Sequence, residues 1–272
     1  MLDAQHVVRL KWERQNMTKP ALLDGKIAAV TGAGQGLGRV IARQLVMSGI
    51  QVAAIGRQMA PLESLADEAP GMLIPVVADI ADPAQIERAF QDIDETLGGI
   101  DILINNAAIY PLASVEESDA AEIAHTLAVN LTGPILCMKA CIARMRRRGC
   151  GDIINISSES VQRPFPFLGV YAASKAGLES ITESIRSEVA DVDIRISVLQ
   201  CGAMDGPPPS HPSWTEDRVA QFMATASKSG HLATSGKPMP PEAVAQAILH
   251  ILQLPREANA DFIAVRSSRS RI

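Results

Sequence analysis

Aromatic residues are scarce: five Phe, two Tyr and two Trp make up 3% of 272 residues. With 47% hydrophobic content, the core must therefore be aliphatic and rich in alanine. Positive charge is also in short supply, with 25 Lys and Arg against 30 Asp and Glu and a formal net charge of -5. A nucleic-acid binder needs a basic face for phosphates, so that class of partner is not expected. No apolar run approaches the roughly 18 residues of a membrane span, so no membrane partner is expected either. The opening residues lack a basic and then apolar leader pattern, which places the chain in the cytoplasm as an expectation. There are only four cysteines, Cys137, Cys141, Cys150 and Cys201. Neither they nor the five histidines fall at metal-ligand spacing, so no metal site is expected and the thiols read as small buried hydrophobes.

What is present is a regular alternation. Residues 1–25 read as an N-terminal extension, and 26–272 as a single body. Short apolar runs occur at Lys26–Thr31, Gln51–Ile55, Met72–Ala78, Asp101–Asn105, Asp152–Ser157, Asp193–Leu199 and Asp261–Val265. Helix-length segments separate them, among them Asp82–Leu97, Asp119–Arg148, Gly169–Ala190 and Pro241–Leu254. Asp82-Pro83 supplies an N-cap with proline in the first turn. Strands alternating with helices predict an α/β fold: a doubly wound, Rossmann-like parallel sheet of about seven strands in three layers. The exception is the proline- and glycine-rich stretch from about 202 to 240, which shows no strand pattern and reads as a substrate flap. Arg144, Arg146, Arg147 and Arg148 end a helix, where cations complement the helix dipole.

Strand Ile27–Val30 runs into Thr31-Gly32-Ala33-Gly34-Gln35-Gly36-Leu37-Gly38, and a helix follows. Residues without side chains let a pyrophosphate approach the backbone, and the new helix offers free N–H groups to negative charge. The strict G-x-G-x-x-G fingerprint is not met, because Arg39 takes the last glycine's place. At the end of the second strand, about 20 residues on, an NAD enzyme places an acid for the ribose hydroxyls. Here Gly56-Arg57 stands there, which leaves room for a 2′-phosphate and supplies a guanidinium to hold it. NADP(H) is therefore favoured, with NAD(H) usable because Gln35 adds no second cation.

Downstream, Asp79-Ile80 follows the third strand, Asn105-Asn106-Ala107-Ala108 the fourth, and Asn130 lies in the long helical segment. Ser158, Tyr171 and Lys175 follow with twelve residues between the first pair and three between the second. Taken in order, these elements resemble the short-chain dehydrogenase/reductase family over about Leu23 to Val265. Tyr171 and Lys175 share a helix face. A nearby ammonium would lower the phenol's pKa from about 10 and let it exchange protons near neutrality. The resemblance implies that Ser158 holds the reacting oxygen, that Lys175 grips the nicotinamide ribose and that Asn130 holds a proton-relaying water. It also implies that Gly32, Gln35, Gly36, Leu37, Gly38, Arg57, Asp79, Ile80 and Asn106 lie along the cofactor with Tyr171 and Lys175. Asp79 reads equally well as a turn boundary.

The sequence departs from the family pattern at Ala108, at Cys201-Gly202 where Pro-Gly is usual, and at Gly206 where threonine is common. The final strand lacks the usual Asp-Gly-Gly ending, and Arg266, Arg269 and Arg271 form a basic tail. The expected activity is NAD(P)-dependent interconversion of a secondary alcohol and a ketone in a homotetramer or homodimer. A non-catalytic redox sensor and the epimerase branch are the alternatives. Tyr110, Phe165, Phe167, Tyr171, Trp214 and Phe222 cluster in cleft and flap segments and suggest an apolar or cyclic substrate. Glu159 and Gln162, just after the serine, could select a polar group. His211 and His231 read as exposed flap histidines.

Overall fold

A computed structural model describes residues 23–206 and 211–268. The extension therefore lies outside the described residues up to position 22, as do 207–210 and the tail from 269. Seven strands form one parallel sheet: β1 (Ile27–Thr31), β2 (Gln51–Gly56), β3 (Leu73–Val77), β4 (Ile102–Asn105), β5 (Cys150–Ser158), β6 (Asp193–Cys201) and β7 (Phe262–Val265). Their spatial order is 3-2-1-4-5-6-7. Pro75 is tolerated because β3 is an edge strand and needs no donor on its free side.

Helices cover both faces, as buried parallel strands require. On one face Ala28, Val30, Val52, Ala54 and Ile104 pack with Ile41 and Leu45 of α1 (Gly36–Met47) and with Ile248 of a later helix, α9 (Glu242–Leu252). Leu62 and Leu65 of α2 (Met59–Ala66) join them. On the other, Ala29, Ala53 and Leu103 meet Phe90 of α3 (Pro83–Leu97), Met138 of α5 (Gly133–Arg148) and Leu178 of α6 (Gly169–Glu188). This is the expected doubly wound α/β architecture. Because β1 sits between β2 and β4, the winding reverses there, and a crevice opens at the carboxyl ends of β1 and β4.

The structure corrects two readings of the sequence and adds elements in two places where none was read. The Asp119–Arg148 segment is not one regular helix. It is α4 (Ala120–Leu127), a π-helical turn (Ala128–Thr132) and α5. Together they are long and apolar enough to cross a membrane by length and composition, yet half of the apolar window is buried against this body. Second, α2 was not evident, being only eight residues long. Third, the flap segment, which shows no strand pattern, carries α7 (Glu216–Lys228) and α8 (His231–Ser235). Its stems are drawn together where Asp205 N donates to Met239 O at 2.8 Å and Met239 N to Ala203 O at 3.0 Å. Fourth, the flap histidines are partly buried and bonded. His211 Nδ1 meets Ser213 Oγ at 2.8 Å, and His231 Nε2 meets Pro164 O at 2.8 Å.

Three of the four arginines closing α5 have specific partners. Arg144 is buried against Asp94 at 2.7 Å, Arg146 meets Asp191 at 2.7 Å and Arg148 meets Asp101 at 3.0 Å. Leu178 and Ile185 of α6 and the C-cap residue Val189 are buried against the sheet, and Ile181 packs beside them, partly buried.

Candidate active site

The glycine turn leaves β1 at the crevice. Gly32 has φ +69, and a Cβ there would come within 2.9 Å of the Ala107 backbone. A Cβ on Gly38 would sit 2.2 Å from Gly32 O and 2.6 Å from Asn106 Nδ2. The turn can therefore close only on glycine at both places. Gly36, at φ +53, opens onto free space. Gln35 caps α1 without a side-chain hydrogen bond, so the first-turn N–H groups have no side-chain acceptor there. Such a helix start, beside an open glycine, suits a phosphate. Asn106 locks β4 to β1: Nδ2 donates to Thr31 O at 2.9 Å, and the Asn106 and Ala107 N–H groups reach Thr31 Oγ1 at 3.0 Å.

Arg57 follows β2, exposed and without a side-chain partner among the described residues. The basic neighbour Arg39 is spoken for, with contacts to Pro61 O, Ser64 and Glu68. Asp79 Oδ1 accepts from Ala81 N at 2.9 Å, so it does shape the turn after β3. Ile80 is buried, which leaves its main chain as what it can offer a ligand. Leu37 is partly buried in the first turn of α1.

Catalytic candidates converge at the end of β5. Ser158 is its last residue; its hydroxyl accepts from Ser160 Oγ at 2.9 Å and lies near enough to the phenol of Tyr171 on α6 to act on it. The adjacent Ser157 turns away to Glu179. This alternation decides which serine can act. Asn130 lies in the π turn, fully buried. Its amide brackets Ile109, accepting from the N–H at 2.8 Å and donating to the carbonyl at 2.7 Å, and it also reaches Ser174 Oγ at 3.1 Å. Such single π bulges often mark functional positions.

One expectation is not met. Lys175 does not touch the phenol: its Nζ donates to Ile156 O at 2.7 Å and stands 6.0 Å from the Tyr171 ring centre. Burial pushes the Tyr171 phenol well above its ordinary value, and the nearby Ser158 hydroxyl opposes this only in part. Burial also pulls Lys175 down to about 8, against the influence of Cys201 and Glu179. In this chain by itself the phenol is thus a protonated donor rather than an activated base. Sequence reasoning did not find Glu179, four residues past Lys175, which also accepts from Gln200 Nε2 at 3.3 Å. Its i, i+4 spacing was the available signal.

The flap closes over this end. The Trp214 indole donates to Tyr110 O at 2.9 Å. Ring centres run from Tyr171 to Tyr110 (5.5 Å), to Trp214 (5.7 Å), to Phe222 (6.2 Å) and to Phe165 (6.1 Å). Phe167 stands apart, under Arg218 at 5.9 Å and at φ +64. Gly206 is exposed with open space around it, and Cys201 is buried, its thiol pushed up to about 12.

The family model for short chain dehydrogenase matches residues 26–217. An uncharacterized oxidoreductase of Thermotoga maritima is 35% identical over 184 residues, 66% of this chain and 72% of that one. A sorbitol dehydrogenase of Cereibacter sphaeroides is 32% identical over 185 residues, 68% of this chain and 72% of its own length. Among solved structures, an alcohol dehydrogenase from the archaeon Thermococcus sibiricus, complexed with 5-hydroxy-NADP, superposes with a TM-score of 0.75. It is 25% identical, and the match covers 91% of this chain and 98% of that one.

Proposed function

The chain belongs to the short-chain dehydrogenase/reductase family, and from that premise we propose that it interconverts a secondary alcohol and a ketone with NADP(H) as its favoured cofactor. The observation that carries this reading is the meeting of Ser158 and Tyr171 beside buried Lys175, at the same sheet end as the open glycine turn. The similar alcohol dehydrogenase, which binds an NADP derivative, supports it.

Gly32, Gly36 and Gly38 with the start of α1 would hold the pyrophosphate, and Arg57 the 2′-phosphate. Asp79 and the Ile80 main chain would border the adenosine, and Lys175 the nicotinamide ribose. When bound, the reduced cofactor supplies the hydride. Ser158 donates to the carbonyl oxygen and fixes its position. Tyr171 gives that oxygen its proton as the C–O bond becomes a carbinol; in the reverse direction it takes the proton back. Asn130 keeps the Ile109 loop in register with α6 through Ser174, so the cleft wall stays fixed during the transfer. Trp214 and Tyr110 exclude water from the reacting oxygen.

The test is a panel of ketones and secondary alcohols, followed through the near-ultraviolet absorbance of the reduced cofactor. Turnover with at least one ketone, faster with NADPH than with NADH at equal concentration, is the expected outcome. Cofactor binding without turnover across a broad panel would point instead to a redox sensor.

A further inference from the structure

The Glu159 carboxylate follows Ser158 directly and is only partly buried. Its Oε1 accepts a hydrogen bond from Ser235 of α8. Its Oε2 lies beside the carboxyl end of β6, where a methyl group added to Gly202 would sit 3.4 Å away. No Lys, Arg or His approaches the carboxylate within salt-bridge distance among the described residues; Arg266 lies on the other side of Gly202, its Cβ 3.0 Å from the same added methyl, without an ion pair to Glu159. The nearby Arg163 is turned to the flap, with Thr234 Oγ1 at 2.7 Å and Ser229 O at 2.9 Å. Glu159 is also near enough to the reacting phenol for its charge to act on it. Tyr171 is thus a shared corner. On one side stands an unpaired carboxylate, and on the other the wall of Tyr110, Trp214 and Phe222.

A negative charge without a counter-ion in a partly desolvated cleft attracts a cation, and aromatic faces attract the same kind of group through their quadrupoles. Resting on the ketone-reductase reading above, we propose that Glu159 determines specificity for a substrate whose non-reacting part carries a cationic nitrogen. The carbonyl faces Ser158 and Tyr171, and the ammonium lies between Glu159 and the aromatic wall. The same carboxylate holds the flap through Ser235, so a substrate cation would sit next to the point where the flap fastens.

The experiment compares 5-(trimethylammonio)pentan-2-one with its neutral isostere 6,6-dimethylheptan-2-one, using the full chain and NADPH. The two differ in charge and hardly in shape, and the quaternary nitrogen offers no hydrogen bond. Wild type should favour the cation in kcat/KM by about tenfold or more, and calorimetric binding to the NADPH complex should show the same preference. In Glu159→Gln, which keeps a hydrogen-bonding partner for Ser235, the ratio should fall to about one. In Ser235→Ala, which frees the flap but keeps the charge, the ratio should persist. Equal or reversed preference in wild type overturns the proposal. So does a ratio that survives Glu159→Gln, or one lost equally in Ser235→Ala. A binding preference without turnover of either ketone upholds the cation site and counts against the ketone-reductase reading instead.

Discussion

Lys175 is the most consequential single burial in the site. It is 2% exposed, and its ammonium rests on one carbonyl, Ile156 O. Its folded pKa of about 8 lies below the ordinary value of 10.5. Between those values the unfolded chain binds more protons than the folded one, so stability rises with pH across that window. The buried thiols Cys137, Cys141 and Cys201, whose pKa values burial raises, work in the opposite direction over the same range, so the signal is a difference. In denaturant titrations of the cofactor-free chain, the change in stability from pH 7.5 to 10 should be more favourable in wild type than in Lys175→Met, on the order of a few kcal/mol at most. An equal change in the variant would assign no part of it to Lys175. Arg57, exposed after β2, is the proposed phosphate ligand. If it clamps a phosphate, Arg57→Ala should weaken NADP(H) by roughly 1.5–3 kcal/mol and NAD(H) little. Equal losses for both cofactors, or tighter NAD(H) binding by wild type, would remove the assignment. Ser158, Tyr171 and Lys175 were legible because their chemistry is encoded in local spacing. The Asn105–Asn155–Thr182 hydrogen-bond chain was not, since its members come from β4, β5 and α6 and meet only in the folded sheet.

At the scale of elements, the strands were read almost to the residue, because a sheet covered on both faces shows as uninterrupted apolar runs. The flap helices were obscured by the prolines and glycines around them. Yet Thr215, whose Oγ1 accepts from Arg218 N at 3.3 Å, and Glu216 and Asp217 in the first turn are a helix start in sequence. The π turn had no such signal, since it depends on how Asn130 bonds Ile109 across the cleft. Few buried residues anchor α7, Ala226 alone among its own, so aromatic contacts and Trp214 fasten the flap. Trp214→Ala should therefore raise hydrogen exchange across 216–235 several-fold while β1, β4 and β5 keep their protection. Uniform loss of protection throughout the molecule would mean that Trp214 supports the whole body rather than the flap.

For the whole molecule, the reversal of winding between β1 and β4 places the glycine turn, Asn106 and the end of β5 around one crevice. That placement follows from alternation and order along the chain, and so does the expectation that cofactor and proton donor meet there. A ligand bound only by the folded state stabilises it, by about 2.7 kcal/mol at a hundredfold excess over Kd. NADPH at such an excess should raise the melting temperature by on the order of 5 °C. NADH at the same concentration should raise it less, and the reverse order would contradict the cofactor preference.

The central claim is that Tyr171 moves the proton while other groups hold the cofactor, and Tyr171→Phe tests it most directly. Removing one oxygen leaves the ring beside Tyr110 and the burial of Lys175 in place. Ketone reduction by this variant should fall by about 10²–10⁴-fold, the range for loss of a positioned general acid. Its Kd for NADPH should stay within about threefold of wild type. A variant that keeps a tenth or more of the wild-type rate would contradict the account.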